Sequence, residues 1–117
     1  MSSGRKRLPA YFYQTTTGTE PVREWLKSLE KRDRFIVGTD IKTVEFGWPI
    51  GMPTCRPMGA GLYETRSSLP GNRIARVLFG IRGGRMVLLH GFIKKSQKTP
   101  RSDLELATQR LRAMEKD

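Results

Sequence analysis

The sequence predicts one α+β domain, a small twisted and mainly antiparallel sheet of four strands with helices packed on it, in the order β-α-α-β-β-β-α. Three observations predict it. Apolar residues recur at helical spacing from Val22 to Val44 and again from Leu104 to Met114. Three β-favouring runs joined by short turns fill most of the space between. A chain of 117 residues is enough for one domain, which at this size buries roughly two-thirds of its unfolded surface, and leaves no room for a second.

Residues 1–8, MSSGRKRL, are polar and basic without periodicity and are expected to form a mobile arm, so the domain is taken as 9–117. The aromatic run from Ala10 to Thr16 suits a first strand. Thr19 is expected to cap a helix with Pro21 in its first turn, and Val22, Trp25, Leu26 and Leu29 mark its buried face. The charged Lys31 to Arg34 is expected at a bend. Val37, Ile41 and Val44 then restart the pattern up to a stop at Gly47, with Trp25 and Phe46 read as core. From Trp48 to Gly61, Pro49, Pro53 and Pro57 with Gly51, Gly59 and Gly61 predict a long irregular loop. LYETRSS, RIARVLFGI and RMVLLHGFI follow as an antiparallel meander. Its turns are SLPGN at Ser68 to Asn72 and the tight Gly83-Gly84 pair. Val87 to Ile93 is apolar on both faces, as a central strand requires, and Thr99 with Pro100 opens a last helix buried through Leu104, Ala107, Leu111 and Met114.

The 22 Lys and Arg against 11 Asp and Glu give a formal charge of +11, which favours a polyanionic partner, nucleic acid or an acidic protein, over an inert basic surface. Cys55 and His90 are the only cysteine and histidine, so an internal disulfide is impossible and the Cys/His zinc constellations are missing. No metal or other cofactor is expected, and a reducing compartment is. No secretory apolar region or run of about 20 apolar residues is present, so a soluble, cytoplasmic protein without membrane contact is expected.

The densest functional signal is LLHGFIKKSQKTP, Leu88 to Pro100, where an apolar strand runs into Lys94, Lys95 and Lys98 and then a helix start, a place suited to a phosphate. Together with GLYETR (Gly61 to Arg66) and the run from Arg73 to Phe79, it resembles the phage Gp49-like, HigB-type branch of the RelE/ParE toxin superfamily, over about residues 10–115 in element order. The resemblance implies a small twisted sheet with helices on one side. It also implies a type II toxin that cuts mRNA on the ribosome and a cognate antitoxin, in this branch often with a helix-turn-helix domain. Within it, Arg66 falls at a basic position on the second strand, Arg76 at the third-strand arginine, and Lys94 and Lys95 at the basic position after the fourth. The histidine pair of some HigB enzymes is missing, and Glu64 stands where other RelE-type enzymes carry lysine.

Metal-free RNA cleavage by the ribose 2′-hydroxyl needs proton removal, charge stabilisation and protonation of the departing 5′-oxygen. Arginines stay charged, which makes Arg66 and Arg76 clamps rather than bases, with surface ion pairing as the plain alternative. For proton transfer the chain offers Glu64, Tyr63, His90 and a lysine lowered by its neighbours, Lys95 foremost. Glu64 shares a strand face with Arg66, so it either accepts the 2′-hydroxyl proton or simply pairs with the arginine, and His90 in an apolar strand is more often packed than catalytic. Arg73, Lys94 and Lys98 are expected to contact RNA. Two other readings stand beside this one: a ParE-type toxin that binds DNA gyrase without chemistry, and a non-catalytic RNA-binding module. The module would call for exposed aromatics, whereas Phe12, Trp25, Phe35, Phe46, Phe79 and Phe92 all fit buried positions.

Overall fold

The computed structural model describes residues 4–94 and 98–114. Eight elements follow along the chain: β1 (Ala10–Phe12), α1 (Pro21–Ser28), α2 (Lys31–Gly47), β2 (Cys55–Gly59), β3 (Leu62–Leu69), β4 (Arg73–Arg82), β5 (Arg85–Lys94) and α3 (Arg101–Met114). They form an α+β domain around one sheet of order β1-β5-β4-β3-β2, antiparallel except where β1 runs parallel to β5.

The sheet has five strands rather than four. The extra one, β2, lies in the segment expected to be an irregular loop. It is an outer strand, where Pro57 can be tolerated, and its register with β3 slips between Pro57 and Gly59. The meander of β3, β4 and β5 forms as expected. Arg82 pairs with Arg85 across Gly83 and Gly84, whose φ angles of 58° and 74° are those a two-residue hairpin of this kind demands.

Strand alternation gives the sheet two covered faces. On one, Ala75, Val77, Phe79, Met86 and Leu88 pack against Val22, Val37, Ile41 and Val44 of α1 and α2. On the other, Leu62, Leu78, Val87, Leu89 and Phe92 pack against Ala107 and Leu111 of α3. The helices thus lie on both sides, not on one. Two glycines permit the close approach. A Cβ on Gly91 would fall within the ring of Trp25, and one on Gly80 would lie 2.6 Å from Leu111 Cδ1. A further irregularity sets Leu78 opposite His90 but Phe79 opposite Leu88, so β5 carries one extra residue and both Leu89 and His90 turn toward α3.

Several local expectations change. The residue before α1 is Glu20, without a side-chain cap, and Thr19 instead donates its amide to Thr15 Oγ1 at 3.1 Å. Lys31 to Arg34 is the first turn of α2, and the break between the helices falls at Leu29 and Glu30. Phe35 is 73 % exposed and Phe46 38 %, so neither is core. In the segment expected to be an arm, Leu8 is buried, and the amides of Arg7 and Leu8 donate to the Glu45 carbonyl at 2.7 and 3.0 Å. The buried Glu45 carboxylate also takes the Ala10 amide at 2.7 Å and pairs with Lys6 at 3.1 Å, which fixes the entry into β1. Among the described residues no helix is long and apolar enough to cross a membrane.

Candidate active site

Alternation along β3 sends Glu64 and Arg66 to the α3 side of the sheet, and the register carries the same face across its neighbours. Arg56 of β2 stands opposite Glu64, Arg66 opposite Arg76 of β4, Arg76 opposite Phe92 of β5, and Leu78 between Glu64 and His90. Three strands and the residue two positions before α3 thereby place Arg56, Glu64, Arg66, Arg76 and Thr99 together.

Glu64 is the hub. Its Oε1 accepts a hydrogen bond from Arg56 Nε at 3.2 Å and lies 4.0 Å from Arg66 Nε, while Oε2 accepts the hydroxyl of Thr99. Thr99 Oγ1 in turn accepts from Arg76 Nη1 at 2.9 Å, so one hydroxyl links the carboxylate to the third arginine. Glu64 and Arg76 are fully enclosed, whereas the side chains of Arg56 and Arg66 are 30 % and 18 % exposed. Burial pulls the Arg76 guanidinium below the usual arginine range against the opposing pull of Glu64, and Arg66 and Arg56 lower it further. From so high a starting value it remains a cation at neutral pH. Three guanidiniums around one carboxylate leave two positive charges uncompensated within the cluster. The buried pair supplies the scaffold, and Arg56 and Arg66 present the charge to solvent.

The cluster contains three of the residues expected from sequence: Glu64, Arg66 and Arg76. Arg76 is not the surface clamp expected of it, because it lies inside, beneath its neighbours. Glu64 is likewise enclosed and occupied, which removes it as a base open to substrate. His90 is on the same face, where its Nε2 is 2.6 Å from Asp103 Oδ1 of α3 and its ring stacks on Phe92 at 5.3 Å. Two strand spacings, about 10 Å, separate it from Glu64. Tyr63 points to the opposite face, stacked on Phe79 at 5.4 Å and edge-on to Trp48 at 5.1 Å, away from Glu64. Arg73 also belongs to that opposite face, where its two Nη atoms grip Asp33 of α2 at 2.9 and 3.2 Å, a tie between helix and sheet. Lys94 ends β5 exposed and Lys98 is exposed beside Thr99, so both flank the cluster, while Lys95 lies outside the described residues. Among the described residues no group of three or more His, Cys, Asp or Glu side chains is placed to hold a metal ion.

Sequence reasoning missed Arg56, Asp103 and the bridging role of Thr99. Arg56 was hidden by the prolines around it, and burial along β2, with Cys55 buried, Arg56 half-buried and Pro57 exposed, follows no strict alternation. Thr99 was read as a helix cap, but its hydroxyl turns to Glu64 instead.

A family model described as phage-derived protein Gp49-like (DUF891) matches residues 24–112, which span α1 to α3 and so the whole cluster. No curated protein gives a significant match.

Proposed function

The chain belongs to the phage-derived Gp49-like family, which is associated with the toxins of toxin–antitoxin systems, and from that premise we propose that it is a toxin that cleaves mRNA on the ribosome. The observation that carries this reading is the surplus of two positive charges at Arg56, Arg66 and Arg76 on one sheet face, beside Lys94 and Lys98. A phosphodiester brings one negative charge and the phosphorane formed on 2′-hydroxyl attack brings close to two. The cluster therefore complements the transition state better than the ground state, which is the requirement for catalysis.

In this mechanism Arg56 and Arg66 hold the scissile phosphate, and Glu64 fixes both guanidiniums so that no reorganisation is needed as charge develops. Arg76, beneath them, adds its field without touching RNA. The 2′-hydroxyl proton passes to solvent water, and a lysine of the segment from Lys94 to Lys98 protonates the departing 5′-oxygen. His90, about 10 Å from Glu64 and bonded to Asp103, fastens α3 over the sheet. The family membership implies a cognate antitoxin as partner. An antitoxin with acidic or helix-turn-helix segments fits the +11 charge of the chain.

The reading is tested by expression in the native host and by cleavage of a defined mRNA with and without ribosomes. Growth arrest, rescued by a neighbouring antitoxin gene, with cuts that appear only when the ribosome is present, is the expected result. Arrest without mRNA cleavage but with trapped gyrase–DNA complexes would select the gyrase-binding alternative.

A further inference from the structure

At the far edge of the sheet, cations and aromatic rings meet a second time. β1 is the outermost strand there, paired with β5. Alternation turns Tyr11, opposite Val87, to the α3 side, together with Tyr13, whose amide extends the pairing to the Leu88 carbonyl at 3.0 Å. Arg85, two residues before Val87, shares that side, and the Gly83-Gly84 turn sets Arg82 directly opposite it. The Arg85 guanidinium lies over the Tyr11 ring, 4.6 Å from its centroid, and that of Arg110 over Tyr13 at 5.7 Å, both within the cation–π reach of about 6 Å. Arg82 Nη1 donates to the Ile81 carbonyl at 2.8 Å, which holds its guanidinium against the hairpin. Tyr11 is nonetheless 49 % exposed. A cavity of about 410 Å³ opens beside it, lined by Tyr11, Tyr13, Gln14, Arg82, Arg85 and Met114 with two further residues. That volume is within the range of roughly 300–1,000 Å³ of small-ligand sites.

Like charges directly opposite one another on paired strands work against folding, so the Arg82 and Arg85 pair is a strain on the hairpin that a bound anion relieves. Stacking on a ring uses the flat face of a guanidinium and leaves its in-plane N–H donors to bond a phosphate. A half-exposed ring beside such cations has the two parts that hold single-stranded nucleic acid, a surface on which a base stacks and a positive charge for the backbone. We propose that this edge is a second RNA-binding site, which stacks one base of a single-stranded RNA on Tyr11 and holds the adjoining phosphate with Arg85 and Arg82. By strand register and spacing, Tyr11 lies about 16 Å from Arg76, and α3 packs on β4 and β5 between them. The edge is thus separate from the arginine cluster, and binding there needs no cleavage.

The test titrates a single-stranded hexanucleotide with 2′-O-methyl riboses, which cannot be cut, into folded Arg56→Ala/Arg66→Ala protein, so that the cluster does not compete. Fluorescence anisotropy reads the affinity. Adding Tyr11→Leu should weaken binding about tenfold, the effect of losing one stacked base, whereas Tyr11→Phe keeps the ring and should stay within about twofold of its parent. Arg85→Ala should lower the slope of log K against log salt by about 0.7, the share of one phosphate on a single strand. No hexanucleotide binding in the parent background, unchanged affinity in Tyr11→Leu, or a Tyr11→Phe protein that loses as much as Tyr11→Leu each overturns the site. A photoreactive phenylalanine analogue at position 11 of ribosome-bound protein then names the strand. Crosslinks to messenger or to ribosomal RNA support the site and tell the two sources apart, and crosslinks to ribosomal protein alone overturn it. Binding that depends on Tyr11 without mRNA cleavage sinks only the nuclease reading, and cleavage with binding indifferent to Tyr11 sinks only this site.

Discussion

Removing the Arg76 side chain tests whether the site is built from the inside outward. Arg76→Ala deletes the 2.9 Å bond to Thr99 and opens a space under the sheet face. It leaves the enclosed Glu64 carboxylate, among the described residues, with Arg56 at 3.2 Å and Arg66 at 4.0 Å as ion-pair partners. Breaking a buried charge network by removing one member costs about 3–5 kcal/mol, against a total stability of roughly 5–15 kcal/mol for a domain. At this chain length that corresponds to a fall in melting temperature of roughly 10–30 °C. Arg66→Ala, by contrast, removes a partly exposed cation at the limit of ion-pair distance and should cost under about 1 kcal/mol. Arg76→Lys keeps the charge but not the fork and should fall between the parent and Arg76→Ala. Thermal and urea denaturation followed by circular dichroism measure all three. Should Arg76→Ala prove too unstable to purify, Thr99→Val removes the same bridging hydroxyl at nearly constant volume and should lower the melting temperature in the same direction. An Arg76→Ala protein that melts within about 2 °C of the parent would refute the idea that this arginine holds the site together from beneath.

Gly91→Ala forces a methyl group into the ring of Trp25 and should destabilise by about 1–3 kcal/mol, seen as a lower urea midpoint with an altered near-ultraviolet tryptophan signal. Arg73→Ala cuts the two-pronged tie to Asp33, so amide exchange at the start of α2 should quicken while mRNA cleavage by the folded protein is kept. Burial first, and Glu64 second, push the Cys55 thiol up to about 11, so the folded state favours the neutral thiol. Iodoacetamide should therefore leave Cys55 unmodified at pH 8 and react only as the pH rises toward about 11 or the chain unfolds, as mass spectrometry can read.

Much of the fold was written in local patterns. The helical periodicity of Val22 to Val44, the Gly83-Gly84 turn and the doubly apolar Val87 to Ile93 each survive because packing and local preference agree there. What failed depended on long-range placement. Pro57 argued against a strand because sequence does not say that β2 would be outermost, where a missing amide costs little. Phe35 and Phe46 looked like core because a helix carries apolar residues on more than one face, and only the docking of α2 shows which face is covered. Within the site, alternation alone put Glu64 beside Arg66, and the family pattern pointed to Arg76. Neither could show that Thr99, 35 residues from Glu64, closes the network, since that bond exists only once α3 lies across the sheet. Arg73 and Tyr63, by the same alternation, could have been assigned to the opposite face from Arg76 and Glu64.

The central claim is that the two solvent-facing arginines stabilise the transition state of mRNA cleavage. Its most direct test is the single-turnover cleavage rate of ribosome-bound mRNA for the parent, Arg56→Ala, Arg66→Ala and the double variant, each shown to be folded. Loss of one preorganised donor of this kind typically lowers the rate by about 10²–10³. Each single variant should lose that much with ribosome binding retained, and the double variant should be without measurable cleavage. A folded double variant that cleaves mRNA as fast as the parent would contradict the account.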